Sequence, residues 1–251
     1  MSRRRWICSR PRATAGGKLH NQSFTRPRSV GRDQFHISKV GKLPLQRTSG
    51  GPEPGRDFQD GGECQGSIGY ILCMQPDEAD YFRRLMALRS PRFVRCVETL
   101  RSLHSAMAEV RGRTRLISFC SDLIISAEVI DRLDGDCFNF HSGPPERPGF
   151  RPAAFASAES ATEFGVTFHR MIAKVDAGSI LAVSRFEIPF PTTEEAISEL
   201  AYGRLLWLAA EVADDLANDN PVFIPLEEVW GARVTTRKDY ERLNIFDGLR
   251  S

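Results

Sequence analysis

Apolar positions are spread unevenly along this chain. Residues 1–65 are rich in Arg, Gly, Pro, Ser and Gln and show little apolar periodicity. Such a segment cannot bury enough surface to offset its ordering entropy, and it reads as a disordered tail. From Gly66 onward the pattern becomes regular. Residues 68–74 read as a short buried strand. Residues 76–88 read as a helix, with Pro76 in its first turn and Asp77 and Glu78 at its positive end. Residues 93–97 read as a short strand, and 98–110 as a helix with Leu100, Leu103, Met107 and Val110 at helical spacing. Residues 114–119 make a strong strand, followed by a second apolar run at 123–125. A short helix over 127–133 leads into a strand over 137–140. Two further strands are predicted at 164–171 and 179–186. Thr192 and Glu195 then form a T-x-x-E capping box. The helix it opens carries a stripe of Ile197, Leu200, Ala201, Leu205, Leu208, Val212 and Leu216, and Pro221 ends it.

Strands alternating with helices of these lengths predict an α/β fold with a largely parallel sheet flanked by helices. Ligands collect at the carboxyl ends of the strands in such sheets. Neither G-x-G-x-x-G nor G-x-x-x-x-G-K-S/T follows the first strand, so no dinucleotide or nucleoside-triphosphate cradle is predicted. The expected division is a tail over 1–65, one α/β domain over 66–217, and a C-terminal tail over 218–251 packed on the core. That last segment holds Trp230 and the basic residues Arg233, Arg237 and Lys238.

Charge changes the picture at the amino end. Residues 1–60 hold 13 Lys and Arg against 4 Asp and Glu, whereas the rest of the chain holds 21 against 28. A basic tail thus precedes an acidic domain. The tail reads as a solvated segment, as translation from an upstream start, or as an Arg-rich, acid-poor organelle-targeting sequence. It could also touch RNA, although no aromatic interleaving supports more than charge attraction. The six cysteines include no C-x-x-C pair. Cys73, Cys120 and Cys137 lie in apolar runs and read as buried reduced thiols, which points to a cytoplasmic protein without disulfides or a metal site. No apolar run approaches the ~18 residues of a membrane span, and no apolar h-region follows the basic start.

The candidate chemistry lies between Asn139 and Gly178. Asn139 and His141 are two apart on a strand and share a face. Asp176, on a later turn, can meet them. Amide, imidazole and carboxylate together can polarise a carbonyl, move a proton and hold the imidazole in place. His169 either lines the same pocket, or it fills space or bonds a neighbouring carbonyl.

Asn139-x-His141, the Pro/Gly loop over 142–149, Gly165-x-Thr167 and Asp176-x-Gly178 follow one another in this order. The set resembles the 10-formyltetrahydrofolate-dependent formyltransferase family over roughly residues 66–217. In style it is nearest the small nucleotide-sugar N-formyltransferases. The resemblance implies a formyltransferase-type, Rossmann-like domain that uses 10-formyltetrahydrofolate as formyl donor and an amine as acceptor, either methionyl-tRNA-like or an amino-sugar nucleotide. It implies catalysis by Asn139, His141 and Asp176. Asn139 and His141 would donate to the oxyanion, and Asp176 would hold His141 and accept a proton through water. A folate site would be built mainly from backbone at Asp122, Leu123, Ile125, Ile172, Ala173 and Val175. No membrane partner is expected. A tRNA partner is possible, but 218–251 is too short for the β-barrel that methionyl-tRNA formyltransferases carry. A formyltetrahydrofolate hydrolase, or a non-catalytic folate- or partner-binding relic, is the alternative. The chain departs from the family where Ser142 and Gly143 replace the usual Pro-Ser after the His, and where the region before residue 114 is short.

Overall fold

The computed structural model describes residues 35–37, 68–86 and 93–248, of which 35–37, 93 and 244–248 are described by backbone alone. The elements in chain order are β1 (Phe35–Ile37), β2 (Gly69–Cys73), α1 (Pro76–Met86), β3 (Phe93–Val97), α2 (Leu100–Glu109), β4 (Thr114–Phe119), α3 (Ala127–Arg132), β5 (Cys137–His141), α4 (Pro152–Ala158), β6 (Glu163–Arg170), β7 (Ile180–Glu187), α5 (Glu194–Leu216) and α6 (Arg237–Gly248). The strands form one sheet in the order β1-β7-β6-β5-β4-β2-β3. The neighbours β3, β2, β4 and β5 run parallel, joined by α1, α2 and α3, as the α/β reading expects. Beyond β5 the pairings with β6, β7 and β1 are antiparallel. The segment over 1–65 is expected to carry no regular structure. Three of its residues, β1, nevertheless lie on the β7 edge, with Phe35 opposite Ser184 and Ile37 opposite Ala182. The rest of that segment, with Cys8 and Cys64, lies outside the described residues.

Both faces of the sheet are covered, which is why β2 and β4 are buried at every position. Successive side chains of a strand point to opposite faces. Tyr70, Leu72, Ile117, Phe119, Phe138, Phe140, Val166 and Phe168 pack with the buried side of α5. Ile71, Cys73, Leu116 and Cys137 pack instead with Leu103, Met107, Val129 and Ile130 from α2 and α3. Asn139 and His141 keep step with Cys137, so they fall on the α2/α3 side, at the carboxyl end of β5. Cys73 and Cys137 are buried and unbridged, whereas Cys120 is only partly buried. Burial pushes both buried thiols up, that of Cys137 to about 12.

The start of α5 is one residue later than the sequence predicts. Thr193, not Thr192, is the cap: its backbone is extended and its hydroxyl accepts from the Ala196 amide. The third helical residue is then Ala196, which has no acceptor to return, so no capping box forms. Leu200, predicted in the buried stripe, is 43% exposed, while the other six residues of that stripe are buried. The helix ends at Leu216, before Pro221 is reached. There the fully buried Arg115 meets it. Its guanidinium donates to the carbonyl oxygens of Leu216 and Asn218 and holds both oxygens of Asp136. A cation at a helix carboxyl end satisfies orphan carbonyls and opposes the helix dipole. None of the helices described is long and apolar enough to cross a membrane.

Candidate active site

β5 and β6 pair with Asn139 opposite His169 and His141 opposite Thr167. The antiparallel ladder therefore lays Asn139, His141 and His169 on one face, beyond the cover of α2 and α3. The chain leaves β6 and returns through a tight turn, in which Asp176 has a left-handed backbone (φ 42°). Gly178 follows it, where any Cβ would overlap the Arg170 carbonyl. This close approach brings the Asp176 carboxylate over the ends of both strands.

The carboxylate is the hub. Oδ2 lies 3.3 Å from His141 Nδ1 and accepts the Gly149 amide at 2.8 Å. Oδ1 lies 3.4 Å from His169 Nε2. Burial alone would push this carboxyl up. His141, the nearby His169 ring and the Gly149 amide together outweigh burial and hold it at about 2. His141 Nε2 stands 3.0 Å from the Arg147 carbonyl oxygen. Both ring nitrogens of His141 thus face acceptors. His169 Nδ1 lies 2.9 Å from the Arg170 carbonyl oxygen, and its Nε2 lies 3.1 Å from Asn139 Nδ2. His169 thus both lines the pocket and bonds a neighbouring carbonyl.

The 142–149 loop lacks the Pro-Ser pair, yet it is firmly held. Pro144, Pro145 and Pro148 are buried. The Thr167 hydroxyl donates to the Gly143 carbonyl at 2.8 Å. The C-terminal segment supplies the rest: Gly231 donates to Pro145, and Thr235 to Pro148. Gly143 itself is a steric requirement. A Cβ there would stand 2.7 Å from His141 Nε2 and 2.7 Å from Pro152.

Trp230 packs against both histidines. Its ring meets His141 and His169 edge-on, with centroids 5.7 and 4.9 Å away, and its Nε1 donates to the Gly178 carbonyl at 2.7 Å. Sequence reasoning placed Trp230 only in a packed tail. The Gly149 amide and the Arg147 carbonyl carry no side-chain signal at all.

These groups open onto a cavity of about 540 Å³. Asn139, His141, Asp176, Asp122, Leu123, Ile125, Ile172, Ala173 and Val175 all line it, so the structure brings together every predicted site residue. Its apolar wall is Leu123, Ile124, Ile125, Met171, Ile172 and Val175. Ile124, Ile172 and Val175 are exposed. The opposite wall holds Phe150, Arg151, Glu194, Ser198 and Arg237. Burial raises the Asp122 carboxyl, and Arg237 and Arg151 partly offset it. No cluster of His, Cys, Asp and Glu among the described residues could hold a metal ion.

A family model described as formyl transferase matches residues 97–201. The fold is similar to that of a formyltransferase from Anoxybacillus kamchatkensis, solved with UDP-4,6-dideoxy-4-formamido-L-AltNAc and tetrahydrofolate, at 20% identity and a TM-score of 0.56, covering 70% of this chain and 89% of that one. A 4-N formyltransferase from Francisella tularensis matches at 17% identity and a TM-score of 0.56, covering 70% of this chain and 78% of that one. An N-formyltransferase from Helicobacter canadensis, in complex with folinic acid and dTDP-3-aminofucose, matches at 13% identity and a TM-score of 0.55, covering 70% of this chain and 72% of that one. The match to the formyl transferase family model thus spans the segment that carries Asn139, His141, His169 and Asp176.

Proposed function

We propose that the protein is an enzyme that transfers a formyl group from 10-formyltetrahydrofolate to the amine of a nucleotide-linked amino sugar. The observation that carries this reading is the convergence of Asn139, His141 and His169 on the Asp176 carboxylate at the wall of one cavity. Folate as donor is supported by the apolar wall at 123–125 and 171–175, which suits a flat ring, and by a volume in the range of small-molecule sites. The structurally similar proteins solved with folinic acid or tetrahydrofolate, and with nucleotide sugars, support the donor and the acceptor class.

The donor supplies a formyl group made transferable by its bond to N10. The acceptor nitrogen adds its lone pair to the formyl carbon, and the carbonyl π pair moves onto oxygen. Asn139, at the cavity wall, donates an N–H to that oxyanion, and His141 lies beside it. Preorganised donors of this kind are worth on the order of 10²–10³ each in turnover. When the oxyanion collapses, the bond from carbon to N10 breaks. N10 takes up a proton, and the acceptor nitrogen loses one. A carboxyl held at about 2 is ionised at neutral pH and a weak base. Asp176 therefore serves as a fixed charge that holds His141, not as the proton acceptor that the resemblance suggests. The acceptor's proton passes to solvent.

The test is to incubate the protein with 10-formyltetrahydrofolate alone, with amino-sugar nucleotides, and with charged initiator tRNA, and to follow tetrahydrofolate release. Release only with amino-sugar nucleotides supports the proposal. Release without acceptor makes the protein a hydrolase. Release only with tRNA replaces the acceptor class, and no release in any arm overturns transfer chemistry.

A further inference from the structure

His169 lies directly across the β5–β6 ladder from Asn139 and is 2% exposed. Its surroundings decide which ring nitrogen carries hydrogen. The Arg170 carbonyl oxygen, 2.9 Å from Nδ1, can only accept, so Nδ1 carries a hydrogen. In the neutral ring Nε2 then presents a lone pair, 3.1 Å from the Asn139 side-chain nitrogen. Only the NH₂ end of an amide can donate to a lone pair. The nitrogen end of Asn139 is thereby drawn to the cluster, where His169 Nε2 also lies 3.4 Å from Asp176 Oδ1. One N–H is used on His169 and the second remains free to donate. With the amide turned, its oxygen would stand there instead. It would face the imidazole lone pair and the Asp176 carboxylate, and would add an acceptor where an oxyanion has to be received.

We infer that His169 is a positioning residue whose Nδ1–H tautomer, set by the Arg170 carbonyl, holds the Asn139 amide nitrogen toward the developing oxyanion. This inference rests on the formyl-transfer reading for its catalytic consequence but not for its geometry. The competing arrangement is a ring hydrogen on Nε2 shared with Asp176, which would turn the amide around.

Two measurements test it on the full chain. The first uses protein labelled with ¹⁵N-histidine, in which two-bond ¹H–¹⁵N correlations report the tautomer, with His169 assigned by its loss in His169→Gln. The expected pattern is hydrogen on Nδ1 alone, and a hydrogen on Nε2 overturns the inference. The second is steady-state turnover with 10-formyltetrahydrofolate and an amino-sugar nucleotide. In His169→Leu nothing orients Asn139, and kcat should fall on the order of 10²-fold, the amount lost with one aimed oxyanion donor. Its KM for both substrates should change by less than about threefold, because an interaction made mainly in the transition state has been lost. His169→Gln brings an acceptor oxygen near the position of Nε2 and should recover most of kcat. Undiminished kcat in the Leu variant, or equal loss in both variants, overturns the inference. If the wild-type protein releases no tetrahydrofolate in any arm, it is formyl transfer that fails. The tautomer then decides the role of His169 alone.

Discussion

Asp176 Oδ2 meets His141 and the Gly149 amide, which favour its charged form, while Oδ1 lies 3.4 Å from His169. Its folded value of about 2 lies below the ordinary 3.8, so its contribution to stability is full above about pH 4 and is lost as pH falls toward 2. The shift corresponds to on the order of 2 kcal/mol. The stability advantage of the wild-type protein over Asp176→Asn should therefore shrink between pH 4 and 2 in urea titrations. A constant gap would show that the carboxylate is not held by these partners. Gly143 offers a second test. A Cβ there would press on His141 Nε2 and on Pro152. Gly143→Ala should lower kcat on the order of 10²-fold, the cost of roughly 1 Å misplacement at a reacting centre. Its melting temperature should move little by comparison, since the ring can yield where the strands need not. At this scale much was legible. The spacing of Asn139 and His141 dictates a shared face, and Asp176-x-Gly178 marks a turn. What could not be read was that the partners holding these side chains in place are backbone atoms, Arg147 O, Gly149 N and Arg170 O, which every residue type carries equally.

Elements were legible where one periodicity dominated. β4 and β3 have the predicted bounds, and β2, β5, β6 and β7 lie within a residue or two of theirs. Helix ends were harder. Thr192 is followed three residues later by Glu195, which reads as a capping partner, whereas Thr193 is followed by Ala196, and only the extended backbone at Thr193 shows that it is the cap. Thr193→Ala should cost about 1 kcal/mol in chemical denaturation, the usual value for an N-cap hydroxyl, and Thr192→Ala clearly less. Equal effects would return the cap to Thr192. The short helix α4 escaped prediction because its seven residues give too little periodicity. α6 escaped because its polar sequence shows no stripe; its place against α4 comes from Arg151 and Phe150, whose groups face the Tyr240 ring.

Over the whole molecule, the carboxyl end of the parallel strands and the C-terminal segment build the site together. Trp230 covers both histidines, and residues 231–235 pin the loop that supplies Arg147 and Gly149. Trp230→Ala should abolish most turnover while leaving one cooperative unfolding transition, seen by far-UV circular dichroism against urea, because the sheet core does not depend on it. Normal kcat in that variant would reduce the segment to a cover. Arg115 ties the other end of the molecule together. Arg115→Ala leaves Asp136 and the end of α5 without their buried partner and should cost about 3–5 kcal/mol, the usual penalty for breaking a buried ion pair.

Local pattern alone determined the alternation of strands and helices, the α/β class, and the order of the Asn, His and Asp residues, since these follow from side-chain period and turn chemistry within a few residues. Tertiary structure alone decided that β6, β7 and β1 run antiparallel. It set His169 against Asn139, and it bound residues 230–235 to the 142–149 loop. Those outcomes depend on groups far apart in the chain, many of them main-chain amides and carbonyls. They meet only after both faces of the sheet have been buried, and no local period records such a meeting in advance.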